Sequence, residues 1–168
     1  MARTVGSRSG WKVNTRFAAW LYSVAALVYV VDRISKAIVE DALGPHHPPV
    51  DLIPGVLRVT YTENPGGAFG LFGSAPWLFL LATLLVCLVI VAASFGLSNR
   101  LLAVGLGMVL GGALGNLTDR IVRAGGLSGQ VVDFIDFRVW PVFNVADAAI
   151  VIGAAVVVLA GIRRAASP

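Results

Sequence analysis

Apolar residues along this chain gather into four long blocks, and all charged residues but Asp147 lie outside them. The blocks are Phe17–Val31, Ala75–Leu97, Leu101–Leu117 and Val145–Ile162. A helix crossing the hydrocarbon core of a bilayer needs roughly 20 such residues, within a range of about 17–25. The second block meets that length outright. The first is shorter, but extends through Trp11 and Val13 on one side and Ile34 on the other. The third and fourth are also short, and they carry Asn116 and Asp147 at corresponding ends. The pattern predicts four membrane-spanning helices.

The intervals are patterned too. Val56-Leu57-Arg58-Val59-Thr60-Tyr61-Thr62 is rich in β-branched residues and partly alternates, and Asn64-Pro65-Gly66-Gly67 then turns the chain. A short strand pair or small sheet on the outer membrane surface is expected, with Ala68–Phe72 touching lipid on the return into the second span. Residues 126–143, with Val131, Val132 and Phe134, supply a further extended segment. Gly107, Gly111 and Gly115 recur at four-residue spacing in the third span, which permits close helix packing. The expected architecture is an all-α membrane protein of four transmembrane helices with a small extracytoplasmic sheet.

Composition agrees. The 168 residues are 57% hydrophobic and 13% charged, with a mean hydropathy of +0.83, whereas a soluble domain carries about a quarter charged residues. The first block also has the basic leader of a cleaved signal peptide, but Asp32-Arg33-Ile34-Ser35-Lys36 does not resemble a small-residue cleavage site, so a retained helix is expected. With four spans, both termini share one side. That side holds 7 of the 13 Lys and Arg and none of the 9 acids. The bare count is nearly even. The first span's leading flank, however, carries Arg3, Arg8, Lys12 and Arg16 with no acid, which places the termini in the cytoplasm. Residues 1–16 are expected to be a disordered basic tail, 17–163 a single membrane domain and 164–168 a second cytoplasmic tail. The basic residues flank spans rather than forming a patch, so nucleic acid is not an expected partner.

Against this background a few polar residues stand out. Asp147 opens the last span and Asp133 lies 14 residues earlier. A carboxylate at a membrane boundary is costly unless it is used or paired. Two carboxylates that converge cannot both ionise readily, so one keeps a proton, and that is the chemistry of an aspartic protease. Asn144 suits the N-cap of the last helix, with Asp147 third within it. A plain capping role for Asp147 is the alternative. Asp136 competes with Asp133 on sequence alone, or serves as a partner for Arg138. Asn116 and Arg120 share one helical face, where Arg120 meets either substrate or an acid such as Asp119 or Asp136. Asp32 and Lys36 have the i,i+4 spacing of a simple helix ion pair. Asn64 could be a turn residue only. Cys87, the single cysteine, lies in mid-span as packing, and His46-His47 sit among prolines without completing a metal site. Serine-hydrolase, zinc-protease and P-loop motifs are absent from the sequence. No metal and no cofactor are expected. A small proton-coupled transporter using the same carboxylates is the competing reading. It fits less well, because the acids cluster at one face and no internal repeat is visible.

Taken in order, five motifs resemble the lipoprotein signal peptidase (signal peptidase II) family. They are Asp32-x-x-Ser35-Lys36, Asn64-Pro65-Gly66-Gly67-Ala68-Phe69-Gly70, Gly112-x-x-Gly115-Asn116-x-x-Asp119-Arg120, Val131-Val132-Asp133-Phe134 and Phe143-Asn144-Val145-Ala146-Asp147. Each is short, but together they span roughly residues 17–163. The resemblance implies that Asp133 and Asp147 are the catalytic pair. It further implies that Asn64, Gly66, Asn116, Arg120 and Asn144 face substrate or support the site, and that Asp32 and Lys36 support it from the first span. It implies an outer β-cradle and a bacterial cell-membrane location with the active site near the extracytoplasmic face. The implied substrate is a diacylglyceryl-modified prolipoprotein, cut just before the lipidated cysteine by an enzyme in contact with membrane lipid. Globomycin-like cyclic peptides are the implied inhibitors. A monomer suffices for this chemistry. The linker from Asp133 to Asp147 is short beside the family pattern.

Overall fold

In a computed structural model the chain is described over residues 15–65, 76–123 and 129–166. Four helices and three strands follow in the order α1 (Thr15–Ala42), β1 (Val50–Ile53), β2 (Leu57–Asn64), α2 (Pro76–Ser94), α3 (Arg100–Val122), β3 (Val131–Asp136) and α4 (Val145–Ala165). Three of the helices, α1, α3 and α4, are long and apolar enough to cross a membrane. The fourth, α2, has no charged residue in its 19 residues, and its described apolar stretch, Leu80–Ser94, is shorter than a membrane span. The expected return segment Ala68–Phe72 and the basic tail up to residue 14 lie outside the described residues.

Helix α3 is the hub, packing against α1, α2 and α4. Its glycines explain how. Gly107 and Gly111 lie against the backbone carbonyls of Leu21 and Ala25 on α1, where even a methyl group would clash. Gly105 and Gly112 do the same toward Gly153 and Ala146 on α4. Two glycine faces on one helix therefore let two neighbours approach at backbone distance. The expected spacing of 107, 111 and 115 describes one of these faces, and 105 and 112 form the other. No Cα of α2 comes within 8 Å of a Cα of α4 among the described residues.

Helix α1 runs well past the apolar block that ends at Val31. Its 28 residues span about 42 Å at 1.5 Å each, against about 30 Å for a bilayer core. The added turns carry Asp32 and Lys36, both fully buried, and then Val39, which packs with Leu43 against Val132 and Phe134 of β3. The sheet thus rests on the projecting end of α1. It is antiparallel with order β1-β2-β3, pairing Val50 with Val59, Thr62 with Asp133 and Asn64 with Val131. Side chains alternate across a strand. With Val132 and Phe134 on the α1 side, Asp133 turns the other way, toward the ends of α3 and α4. The helix through residues 32–36 is continuous.

Candidate active site

Asp147 occupies its position because of helix capping. Asn144 is the N-cap of α4, and its Oδ1 accepts from the Asp147 backbone N–H at 2.9 Å. Asp147 Oδ2 in return accepts from the Asn144 backbone N–H at 3.3 Å. This reciprocal box fixes Asp147 in the first turn, where the helix dipole favours negative charge. Capping alone does not describe Asp147, because its other oxygen points away from the box. Asp147 Oδ1 accepts from Asn116 Nδ2 at 2.8 Å.

Asp133 is reached from the same cap. Asn144 Nδ2 donates to Asp133 Oδ1 at 2.6 Å and to Asn116 Oδ1 at 3.2 Å. Asn64, at the end of β2, donates from Nδ2 to Asp133 Oδ2 at 2.9 Å. Asn144 therefore donates to both carboxylates, to Asp133 from its side-chain amide and to Asp147 from its backbone N–H. Asp133 is nearly inaccessible at 2% exposure. Burial, and then the negative charge of Asp147, push its carboxyl up to about 6, against the lowering effect of the Asn64 and Asn144 hydrogen bonds.

Lys36 lies beneath this pair. Its Nζ donates to Asn116 Oδ1 at 2.9 Å and forms ion pairs with Asp32 at 2.8 Å and Asp119 at 2.9 Å. Asp32 also reaches α4 directly, accepting the Ala146 backbone N–H at 3.0 Å. The Asp32–Lys36 pair is thus more than a surface helix ion pair, since it ties α1 to both α3 and α4. Asp119 proves central as well. It is fully buried and paired with Arg33, Lys36 and Arg123, and its Oδ2 accepts from the Val132 backbone N–H at 3.4 Å. From the sequence, Asp119 is expected only as a partner for Arg120. The spacing to Arg123, four residues on, was the available signal.

Arg120 is buried and donates to the carbonyl oxygens of Gly129 at 3.2 Å and Pro65 at 3.4 Å. It pins the two loops that flank Asn64 and Val131. Asp136 is engaged elsewhere. Arg58 Nε lies 2.6 Å from its Oδ2, and the Arg138 backbone N–H donates to its Oδ1 at 2.6 Å. The Arg138 hydrogen bond, aided by Arg58, holds the Asp136 carboxyl below its usual range. Arg138 itself takes a left-handed φ of 62° and pairs with Asp51 of β1. Gly66 lies outside the described residues. Among those described, no cluster of three or more His, Cys, Asp or Glu side chains forms a metal site.

The aspartates line a cavity of about 470 Å³ together with Asn64, Asn116 and Arg120. Its walls include Ala82, Thr83 and Val86 of α2 and Ile150 and Val151 of α4. Trp140 and Phe143 also line it. Asp133 and Asp147 therefore face a cavity whose lining is largely apolar.

Comparison with known proteins gives this geometry a context. The family model for signal peptidase II matches residues 24–163. A lipoprotein signal peptidase of Pelotomaculum thermopropionicum is 42% identical over 137 residues, covering 80% of this chain and 86% of the relative. Another, from Streptomyces coelicolor, is 42% identical over 149 residues, covering 88% and 72%. A bacterial membrane enzyme solved by the in meso method at 2.3 Å resolution superposes with a TM-score of 0.75 and 26% identity, over 92% of this chain and 93% of that one. With a family model spanning most of the sequence and relatives of this identity over most of its length, the chain belongs to the signal peptidase II family.

Proposed function

We propose that this protein is an intramembrane aspartic endopeptidase that removes signal peptides from diacylglyceryl-modified prolipoproteins. The observation that carries the reading is the bridging of Asp133 and Asp147 by Asn116 and Asn144 in a cavity that both aspartates line together with apolar residues of α2 and α4. In this reading α2 is the fourth spanning helix, both termini are cytoplasmic, and the sheet lies on the outer face. Residues 17–163 form one membrane domain, which works as a monomer. A lipid-modified peptide enters sideways from the bilayer, keeping its acyl chains in lipid while its scissile bond reaches the aspartates.

One carboxylate takes a proton from water as the water oxygen bonds to the scissile carbonyl carbon. The other carboxyl gives its proton to the carbonyl oxygen, forming a gem-diol. On collapse the C–N bond breaks, the leaving nitrogen takes the proton held by the first aspartate, and a diol hydroxyl returns one to the second. Water is consumed, acid and amine are formed, and the pair is restored. Asn64, Asn116 and Asn144 hold both carboxyl groups in place, Arg120 holds the loops, and Asp32 and Lys36 hold the helices. Globomycin-like cyclic peptides would compete for the same cavity. The carboxylates lie at one end of the helices rather than along a path through them, which favours this chemistry over proton-coupled transport.

The test is a gel-shift assay with purified protein in detergent. A diacylglyceryl-modified prolipoprotein should be cut in the presence of chelator, and the unmodified precursor should not. Equal cleavage of both, or none of either, would refute the proposed substrate.

A further inference from the structure

The loop between β3 and α4 ends in two bare apolar side chains: Val139 is 90% exposed and Trp140 65%. We propose that Val139 and Trp140 form a rigid wedge seated in the outer leaflet of the bilayer, beside the cavity that Trp140 lines. The wedge rests on the membrane placement in the reading above and is independent of the chemistry assigned to the aspartates.

The loop is closed at its base. The Ile135 backbone N–H donates to the Phe143 carbonyl oxygen at 2.8 Å, and the Phe143 N–H donates back to the Ile135 oxygen at 3.1 Å. Residues 136–142 lie between these bonds, with Val139 at their middle. The rings of Phe137 and Phe143 stack with centroids 6.0 Å apart. Arg138 turns the chain in the left-handed region, and its backbone N–H donates to Asp136 Oδ1 at 2.6 Å. The tip is therefore held outward by a fixed turn. Charges beside it would resist an apolar surrounding if they were alone. Here they are paired, Arg138 with Asp51 at 2.7 Å and Asp136 with Arg58 at 2.6 Å.

Depth follows from α4. Its 21 residues span about 32 Å at 1.5 Å each, against about 30 Å for a bilayer core. Arg163 and Arg164 in its last turn mark the cytoplasmic headgroups. The N-cap Asn144 then lies at the outer edge of the hydrocarbon, and Trp140 and Val139 stand only four and five residues before it. The exposed apolar surface of α4, which includes Val151 and Ile152, faces lipid in this placement. Val151 and Trp140 line the same cavity, so the loop continues a surface that lipid already covers. Tryptophan suits this depth, because its ring is apolar while its indole N–H reaches water or headgroups. Through Trp140 the wedge touches both lipid and cavity, and so marks where a peptide held in the bilayer by acyl chains passes toward Asp133 and Asp147.

The experiment places a nitroxide at Val139→Cys in a Cys87→Ala background, with the full chain in phosphatidylcholine–phosphatidylglycerol liposomes. Electron paramagnetic resonance then compares collision with oxygen, which concentrates in lipid, and with a water-soluble nickel complex. The label should be more accessible to oxygen than to nickel. Val158→Cys, at an exposed mid-span position of α4, is the control for spanning. A label at 139 that favours nickel while the label at 158 favours oxygen overturns the wedge alone. Nickel access at both positions overturns the spanning of α4 and the wedge with it. A second measurement leaves position 139 intact. With Trp11, Trp20 and Trp77 replaced by Phe, Trp140 fluorescence should be quenched by lipids brominated near the headgroup end of their chains, and less by lipids brominated near the chain ends. Quenching by aqueous iodide and not by either lipid would overturn the proposal. Neither measurement needs turnover, so the result is separate from whether the protein cleaves prolipoproteins.

Discussion

Gly115→Ala perturbs the contact on which the α1–α3–α4 junction depends. A Cβ at position 115 would overlap Asp32 Oδ2 and lie 3.0 Å from its Cγ. The carboxylate has nowhere to go at no cost, because Lys36 holds it at 2.8 Å on one side and the Ala146 N–H at 3.0 Å on the other. Giving up one of these charge-assisted bonds costs about 1.5–3 kcal/mol, and parting the helices instead costs about 1–3 kcal/mol. Alanine returns about 1 kcal/mol as the better helix former. The net loss is about 0.5–2 kcal/mol if a bond is given up, and no more than about 2 kcal/mol if the helices part, which for a chain of this size lowers the melting temperature by up to about 8 °C. Gly161 on α4 is the matched control, since its added Cβ meets nothing within 4 Å. There the same substitution should raise stability by about 1 kcal/mol. Cys87, the single cysteine and half-buried among α1, α2 and α3, allows both to be read with a thiol-reactive dye during heating. If Gly115→Ala melts at or above the parent temperature, the Asp32 junction is not the constraint described.

Other expectations follow from neighbouring groups. Holding the Asp133 carboxyl at about 6 instead of 3.8 corresponds to about 3 kcal/mol. A raised carboxyl stabilises the fold fully below 3.8, and that contribution is lost as pH rises through about 6. Asp133→Asn lacks this dependence, so its stability relative to the parent should rise between pH 4 and pH 7, measured by dye melts across that range. Asn144→Ala removes the α4 cap, costing about 1–2 kcal/mol, and should abolish cleavage as well, because both aspartates lose a tether. Arg138→Gly relieves a left-handed non-glycine residue, worth about 1 kcal/mol, and gives up only a half-exposed ion pair with Asp51. Its melting temperature should match or exceed the parent's, whereas Arg138→Val should melt lower.

Much of this arrangement was legible in the order of residues. Apolar blocks located all four helices, and β-branched alternation located β2. The ends were less legible. Hydropathy stops at Val31, yet α1 continues to Ala42, because Asp32 and Lys36 point inward and are neutralised there rather than exposed. Capping signals at Asn144 correctly gave the start of α4. What sequence spacing could not give was convergence. Asn64, Asn116, Asp133 and Asp147 come from four separate elements, and only the sheet resting on α1 and the glycine faces of α3 bring them together. Asp119 was undervalued for the same reason, since its partners Arg33 and Lys36 lie on another helix. The spacing suggests a substrate or acid contact for Arg120, but its hydrogen bonds to the carbonyls of Pro65 and Gly129 depend on loops whose course hydropathy does not encode.

The most direct test of the central claim is cleavage of a diacylglyceryl-modified prolipoprotein by Asp133→Asn and by Asp147→Asn, each checked for an intact Cys87 melting transition. Both variants should fold as the parent does and lose at least about a hundredfold in rate, the lower bound for removing an acid–base group. Parent-like cleavage by either folded variant would contradict the aspartate-pair mechanism.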